Sequence, residues 1–388
     1  MEQYFNILFS FTHGTTMLIY TLLLILSTIL ARFAQPSEYY GTLEINKVFY
    51  VMAFMFLCVG LALADNGTDT KWYMEFFNSR ESFNNCDYGA VELGYQYYNV
   101  LIHYITDNPI VFVVISRIMM IICVFWSIYI LRDKTILWLA ILGFAAVIYF
   151  QMFSALRNGL AYSLGFLVYS FSVKKKYLLA LIFSIIGISF HRSMIIFVIP
   201  IVLYFLVIKL APKLFVRIAV PLLLLTILVI YLYGVSIIEY FLTSDDVLMG
   251  KYDSYLHGEG TQGYMIYFVY FPLACVFFDY KYLKELDENY FYLNVFLSII
   301  GFSFALLAYQ VGQLTRLQPF FTFPFLFYIG FYLLNSLYDE YFSYQKINLF
   351  MFFFTLYWGY RFTLFISSLF YSNGLDKYSL YSIDNFVQ

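Results

Sequence analysis

Five arginines stand apart from the other basic residues of this chain: Arg117, Arg157, Arg192, Arg316 and Arg361. Each lies in or beside a long apolar run, where a guanidinium is out of place. An arginine at the centre of a membrane helix costs about 2.5–3.5 kcal/mol on insertion scales. A partner that makes five of them worthwhile should be an anion. The planar guanidinium grips phosphate oxygens in pairs, and the compact lysine ammonium does not. The surroundings of Arg157 agree. Ser154, Arg157, Asn158, Ala161 and Gly165 follow three-and-four spacing and share one small, polar helix face. Such a face suits tight helix packing. With an Arg and an Asn on it, it equally suits the wall of a water-filled chamber, and Arg157 is expected to face water.

Groups able to move protons are few. The stretch LADNGTDTKWYMEFF (63–77) carries Asp65, Asp69 and Glu75, and DYGAVELGYQYYNVLIHYI (87–105) carries Asp87, Glu92 and His103. A solvated acidic loop needs no special explanation, and DNGTD also reads as a plain turn. Trp72 and the tyrosines here resemble a sugar-stacking surface and equally an interfacial aromatic belt. SFHRSM (189–194) sets His191 beside Arg192, which makes His191 a candidate base or phosphate ligand. His13, His103 and His257 lie apart without ligand spacing. The sequence has no metal motif, Gly-rich phosphate loop or nucleophile elbow, so no metal and no cofactor is expected.

Composition says which elements must position these residues. Apolar residues make up 62% of the 388-residue chain and charged residues 12%, with a mean hydropathy of +0.76. A soluble domain is about half apolar and about a quarter charged. Apolar runs of membrane length recur from end to end, and the alternating pattern of a β-barrel is absent. The expected fold is an all-α polytopic integral membrane protein, a single domain over 1–388. A net charge of −2 offers no electrostatic lure for nucleic acid. Cys58, Cys86, Cys123 and Cys275 form no disulfide framework. The first fourteen residues lack the basic start and cleavage site of a signal peptide.

About twelve membrane helices are predicted, at 14–34, 45–64, 108–131, 135–151, 153–173, 177–191, 193–208, 214–234, 263–280, 290–311, 317–337 and 347–368. The sixth is short and should end in a kink near His191. Two polar stretches, 65–107 and 235–262, are longer than turns. Lysine and arginine set the orientation. With 65–107 outside, inner loops hold Arg32, Lys47, Arg132, Lys134, Lys174–Lys176 and others, and outer loops hold only Lys71, Arg80, Lys251 and Lys377. Both termini then lie outside. All five remaining arginines fall toward the outer ends of their helices. Snorkelling explains any one of them. It explains the set poorly, because snorkellers occur at both faces and include lysine.

Taken in order, these pieces resemble a known family. Gly67, Thr68, Asp69, Trp72 and Tyr73 come first, then Glu92 and Gly94. Next come Ala155, Leu156, Arg157, Asn158, Gly159, Leu160 and Ala161, the basic turn Lys174–Lys176, then Phe190, His191 and Ser193, and finally Arg316 with Phe320. Over roughly 60–335 this resembles the EpsG-like branch of the Wzy polysaccharide polymerases, which make bacterial O-antigen and capsule. One departure is plain: relatives often carry an Arg shortly before the Gly-Thr-Asp element, and here the run LALADNGTD has none. Arg117 and Arg361 are the candidates to take its place.

The resemblance implies a GT-C-like fold in the bacterial inner membrane, working at its periplasmic face. It implies a growing glycan on undecaprenyl diphosphate as donor and one repeat unit on the same carrier as acceptor. A length-regulating protein is the usual partner of such an enzyme. On that reading Arg157, Arg192 and Arg316, with Arg117 and Arg361 behind them, hold the diphosphate. His191, Asp69 and Glu92 are the candidate proton acceptors. The competing expectations are a flippase or transporter for lipid-linked glycan, and an O-antigen ligase. A transporter should carry charge through the full membrane depth, and here charge gathers at one face.

Overall fold

The computed structural model describes residues 11–62, 69–86, 91–149, 152, 155–206, 225, 228, 287–307, 317, 320, 321, 323, 324 and 330. No strand occurs among them. The helices are α1 (Phe11–Ala34), α2 (Lys47–Ala62), α3 (Thr70–Asn78), α4 (Leu93–His103), α5 (Pro109–Ile130), α6 (Leu137–Phe144), α7 (Leu156–Val173), α8 (Tyr177–Phe190), α9 (Ile195–Leu206) and α10 (Glu288–Leu307). A π turn, Ala145–Tyr149, continues α6, and a 3-10 turn, Arg192–Met194, precedes α9. Helix is the only economical answer for such apolar runs, because each backbone N–H and C=O finds its partner within the segment. α5 is long and apolar enough to cross a membrane on its own, and α2, α8 and parts of α1, α9 and α10 are shorter apolar helices. The predicted spans at 14–34, 45–64, 108–131, 153–173, 177–191 and 193–208 each match one described helix. Those at 214–234, 263–280 and 347–368 lie outside the described residues, as does nearly all of 317–337 and of the polar stretch 235–262.

The chain divides into two compact units, one holding residues 1–195 with 333–338 and 358–388, the other 196–332 with 339–357. In the second unit α9 and α10 are joined by the Tyr204 hydroxyl, which donates to the Asn289 carbonyl at 2.5 Å. Phe197 stacks on Phe320 there at 5.5 Å.

Among the described residues, the candidate site residues lie in the first unit. Its basic turns are stitched together. Gln35 is fully buried; its amide donates to the Arg132 carbonyl at 2.9 Å and its oxygen accepts from Leu137 N at 2.8 Å. Lys174 pairs with Asp133 at 2.5 Å. Helix α7 is buried along nearly its whole length. Small residues let its neighbours close in. The Ser127 hydroxyl of α5 donates to the Phe166 carbonyl at 2.7 Å. A Cβ on Gly159 would stand 2.7 Å from the Met120 sulfur. A helix that meets protein on every side is the core of its bundle.

Helix α2 is described to Ala62, as the second predicted span leads one to expect, and a further helix, α3, begins at Thr70 inside the predicted outer loop. The guanidinium of Arg117 ties the two: Nη1 donates to the Leu61 carbonyl at 3.4 Å and Nη2 to the Thr70 hydroxyl at 3.3 Å. Arg117 is eight residues beyond Pro109, about 12 Å along α5. From there α3 runs back along α5, with Phe77 stacked on Phe112 at 4.4 Å. Part of the predicted outer loop, Thr70–Asn78, is thus a helical segment against the N-terminal half of α5. Helix α4 crosses the same region: its Tyr98 hydroxyl bonds the Ser116 hydroxyl of α5 at 2.9 Å.

Candidate active site

Glu92 precedes the first residue of α4 and has extended backbone, yet its carboxylate does not cap its own helix. It turns toward α7 and α8 instead. One oxygen pairs with Arg157 Nη1 at 3.1 Å. The other accepts the backbone N–H of Arg192 at 3.0 Å. The side chains of Arg157 and Glu92 are only 22% and 11% exposed, so water screens the pair weakly. One carboxylate therefore joins three segments that are far apart in sequence.

Gly94 makes this possible. A Cβ there would lie 2.7 Å from the Ser189 carbonyl and nearer still to its side chain. Helix α4 reaches the end of α8 because residue 94 has no side chain. The turn after α8 is held from the other side. The Asn158 amide donates to the Tyr162 hydroxyl at 2.7 Å, and the Asn158 carbonyl oxygen accepts from the Ser193 hydroxyl at 3.4 Å.

Arg157 sits in the first turn of α7, at the positive end of that helix. Its Nε is buried without a hydrogen-bond partner among the described residues. This leaves a donor in reserve while Nη1 is occupied. Arg192 is exposed. Tyr95, one turn beyond Glu92, is fully buried; burial holds its phenol well above the ordinary value, against the pull of the nearby Arg157 charge.

The three candidate proton acceptors differ in their surroundings. Glu92 has both oxygens engaged. His191 is extended at the kink that ends α8, as the sequence leads one to expect, and its Nδ1 accepts the Ser193 backbone N–H at 3.1 Å. A backbone N–H only donates, so the neutral ring carries its proton on Nε2. Asp69 flanks the start of α3; it is exposed, and its side chain makes no cap bond. Among the arginines, Arg157 and Arg192 meet at Glu92. Arg117 is fully buried and ties α2 to α3. Arg316 and Arg361 lie outside the described residues. Residue types alone did not show the Glu92–Arg157 pairing or the link from Asn158 to Ser193. The spacing of Glu92 and Gly94 was the visible trace of the first.

The motifs that build this corner belong to a recognisable whole: the model of the EpsG family matches residues 47–380. The chain belongs to the EpsG family. No curated protein and no solved structure matches it. The EpsG-like family includes Wzy-type polymerases, and membership makes this chain a membrane protein of polysaccharide biosynthesis. The match takes in every candidate residue, from Asp69 to Arg361, and leaves all of α1 outside it. In this EpsG protein a Gly94→Val change is expected to push α4 off α8 and separate Glu92 from Arg192. Overpacking of this kind costs about 1–3 kcal/mol. Thermal unfolding of purified variant and wild type checks it, and an unchanged midpoint refutes the close approach.

Proposed function

We propose that this EpsG family chain is a membrane polysaccharide polymerase of glycosyltransferase type. It joins repeat units carried on undecaprenyl diphosphate at the outer, periplasmic face of the bacterial inner membrane. The observation that carries this reading is the convergence of Arg157, Glu92 and the Arg192 backbone at the N-terminal end of α7. A hydroxyl of the acceptor's terminal sugar attacks the anomeric carbon of the donor. The new C–O bond forms as the bond to diphosphate breaks, and undecaprenyl diphosphate leaves. Diphosphate is already a good leaving group, so the protein's work is to hold it and balance its charge. Arg157 and Arg192 take that role, with Arg316 and Arg361 as further ligands. His191, beside Arg192, is a further candidate ligand of the same group. Glu92 fixes the Arg157 fork.

The proton of the attacking hydroxyl goes to Asp69, whose carboxylate is exposed and makes no bond to another described residue. Arg117 serves the scaffold by tying α2 to α3. Donor and acceptor glycans on the lipid carrier are the partners, and chain length is set with a regulator protein.

Deletion of the gene tests the reading. A polymerase leaves single repeat units on the surface; loss of all surface glycan points instead to a flippase or ligase. Asp69→Asn is expected to lower turnover of lipid-linked repeat units in membranes by about 10²–10⁴, the usual contribution of a general base, with substrate binding retained. Wild-type turnover in that variant removes Asp69 from the mechanism.

A further inference from the structure

Helix α3 has one buried face and one exposed face. Thr70, Tyr73 and Phe77 are buried, while Asp69, Lys71, Trp72 and Glu75 are exposed. The Trp72 ring, 45% exposed, lies nearly flat on Phe76 at 5.1 Å with 20° between planes. It meets Tyr73 edge-on at 5.0 Å. Phe76 in turn has Tyr95 against it at 6.0 Å and the Arg80 guanidinium over it at 4.8 Å. Arg80 Nε donates to the Gln96 oxygen of α4 at 3.1 Å. The indole is thus held in one orientation before anything binds, and one of its faces stays open.

A lipid-facing tryptophan would keep other company. Its exposed neighbours on α3 are two acids and a lysine, and α3 starts level with Arg117, about 12 Å along α5. Exposed charge at that depth faces an aqueous cavity.

We propose that Trp72 is a stacking platform for a pyranose ring of the acceptor glycan, with Asp69 and Glu75 receiving its hydroxyl groups. A pyranose has an apolar C–H face, which suits an indole, and hydroxyl edges, which need acceptors. Asp69 and Glu75 lie three residues to either side of Trp72, and that spacing makes them its neighbours on the helix. The ring series from Trp72 through Phe76 to Tyr95 ends one turn from Glu92 and its Arg157 partner. The platform therefore adjoins the site where the diphosphate is placed. The assignment of this sugar to the acceptor rests on the polymerase reading; the platform itself does not.

The test uses the full chain in phospholipid nanodiscs. The probe is the repeat-unit oligosaccharide released from the host's own surface polysaccharide, free of lipid and phosphate. Saturation-transfer NMR is expected to show signal on its C–H protons with wild type and with Arg157→Ala. At least a fivefold loss is expected in Trp72→Ala, with partial retention in Trp72→Phe. A second variant carries Trp126, Trp138 and Trp358 as Phe, so that Trp72 alone fluoresces; brominated phospholipids are expected to leave it unquenched. No transfer with wild type, undiminished transfer with Trp72→Ala, or strong bromolipid quenching overturns the proposal. If Arg157→Ala still makes full-length polymer while the sugar binds at Trp72, the platform stands and the diphosphate reading fails.

Discussion

A strain without its own copy of the gene, complemented with Arg157→Ala, is expected to display single repeat units and no polymer ladder, with the variant present in the membrane at the wild-type level. Loss of one preorganised donor to a developing oxyanion typically lowers the rate about 10²–10³-fold. A slowdown of that size abolishes a polymer that needs many additions in one cell generation. Arg157→Lys should fail nearly as badly, because an ammonium cannot bridge Glu92 and a phosphate with the same fork. Removal of Arg157 also leaves Glu92 half-buried beside a single N–H, so a double variant, Arg157→Ala with Glu92→Gln, separates the two effects. If the double variant regains membrane stability without regaining polymer, Arg157 acts on substrate. A full ladder in Arg157→Ala would make the residue structural and the diphosphate site wrong.

Arg117→Ala is expected to act differently, by removing the protein. Its guanidinium is fully buried and bonds the end of α2 and the start of α3. The substitution leaves a cavity where a large buried side chain stood, which costs about 2–5 kcal/mol. It also removes the bonds from Arg117 to the Leu61 carbonyl and the Thr70 hydroxyl, and hydrogen bonds to a charged group are worth about 1.5–3 kcal/mol each. Membrane proteins with such losses are degraded, so immunoblotting of membranes should show little variant protein. Residual protein should unfold at markedly lower temperature. Arg117→Lys keeps the charge but reaches one partner at a time, and an intermediate level is expected. A variant present at full level, folded and inactive, would instead make Arg117 a substrate ligand.

The part of this architecture that sequence reveals is the part written in local pattern. For the described helices, apolar run length marks positions to within a few residues, and the kink at His191 follows from a short run ending in a polar cluster. Helix α3 was hidden because it lies inside the polar stretch 65–107. The side chain that ties it to α2, Arg117, is distant in sequence, and no local pattern records that contact. The burial of α7 was equally hard to read, since hydropathy does not distinguish a lipid tail from the methyl groups of α5. At the site, residue types marked Arg157, Glu92, Asp69 and His191 as candidates. Their different engagements are set by tertiary contacts: Glu92 reaches Arg157 and the Arg192 backbone because α4 meets α8 at Gly94, while Asp69 stays exposed at the start of α3.

The central position of α7 bears on how this chain enters the membrane during synthesis. With Arg157, Asn158 and several serines along it, α7 is a poor candidate to leave the translocon alone, since an arginine near its start opposes partition into lipid. Its natural shelter is α5, which is already made and offers Ser127 and the Met120 side chain that packs over Gly159. The Arg157 charge has its partner waiting in Glu92, synthesised 65 residues earlier. The last contact, from the Arg192 backbone, forms only when α8 has emerged. Assembly of the first unit is therefore ordered by the chain itself. A premature stop between residues 157 and 192 would leave a paired but unclosed corner, visible to the proteases that survey the membrane.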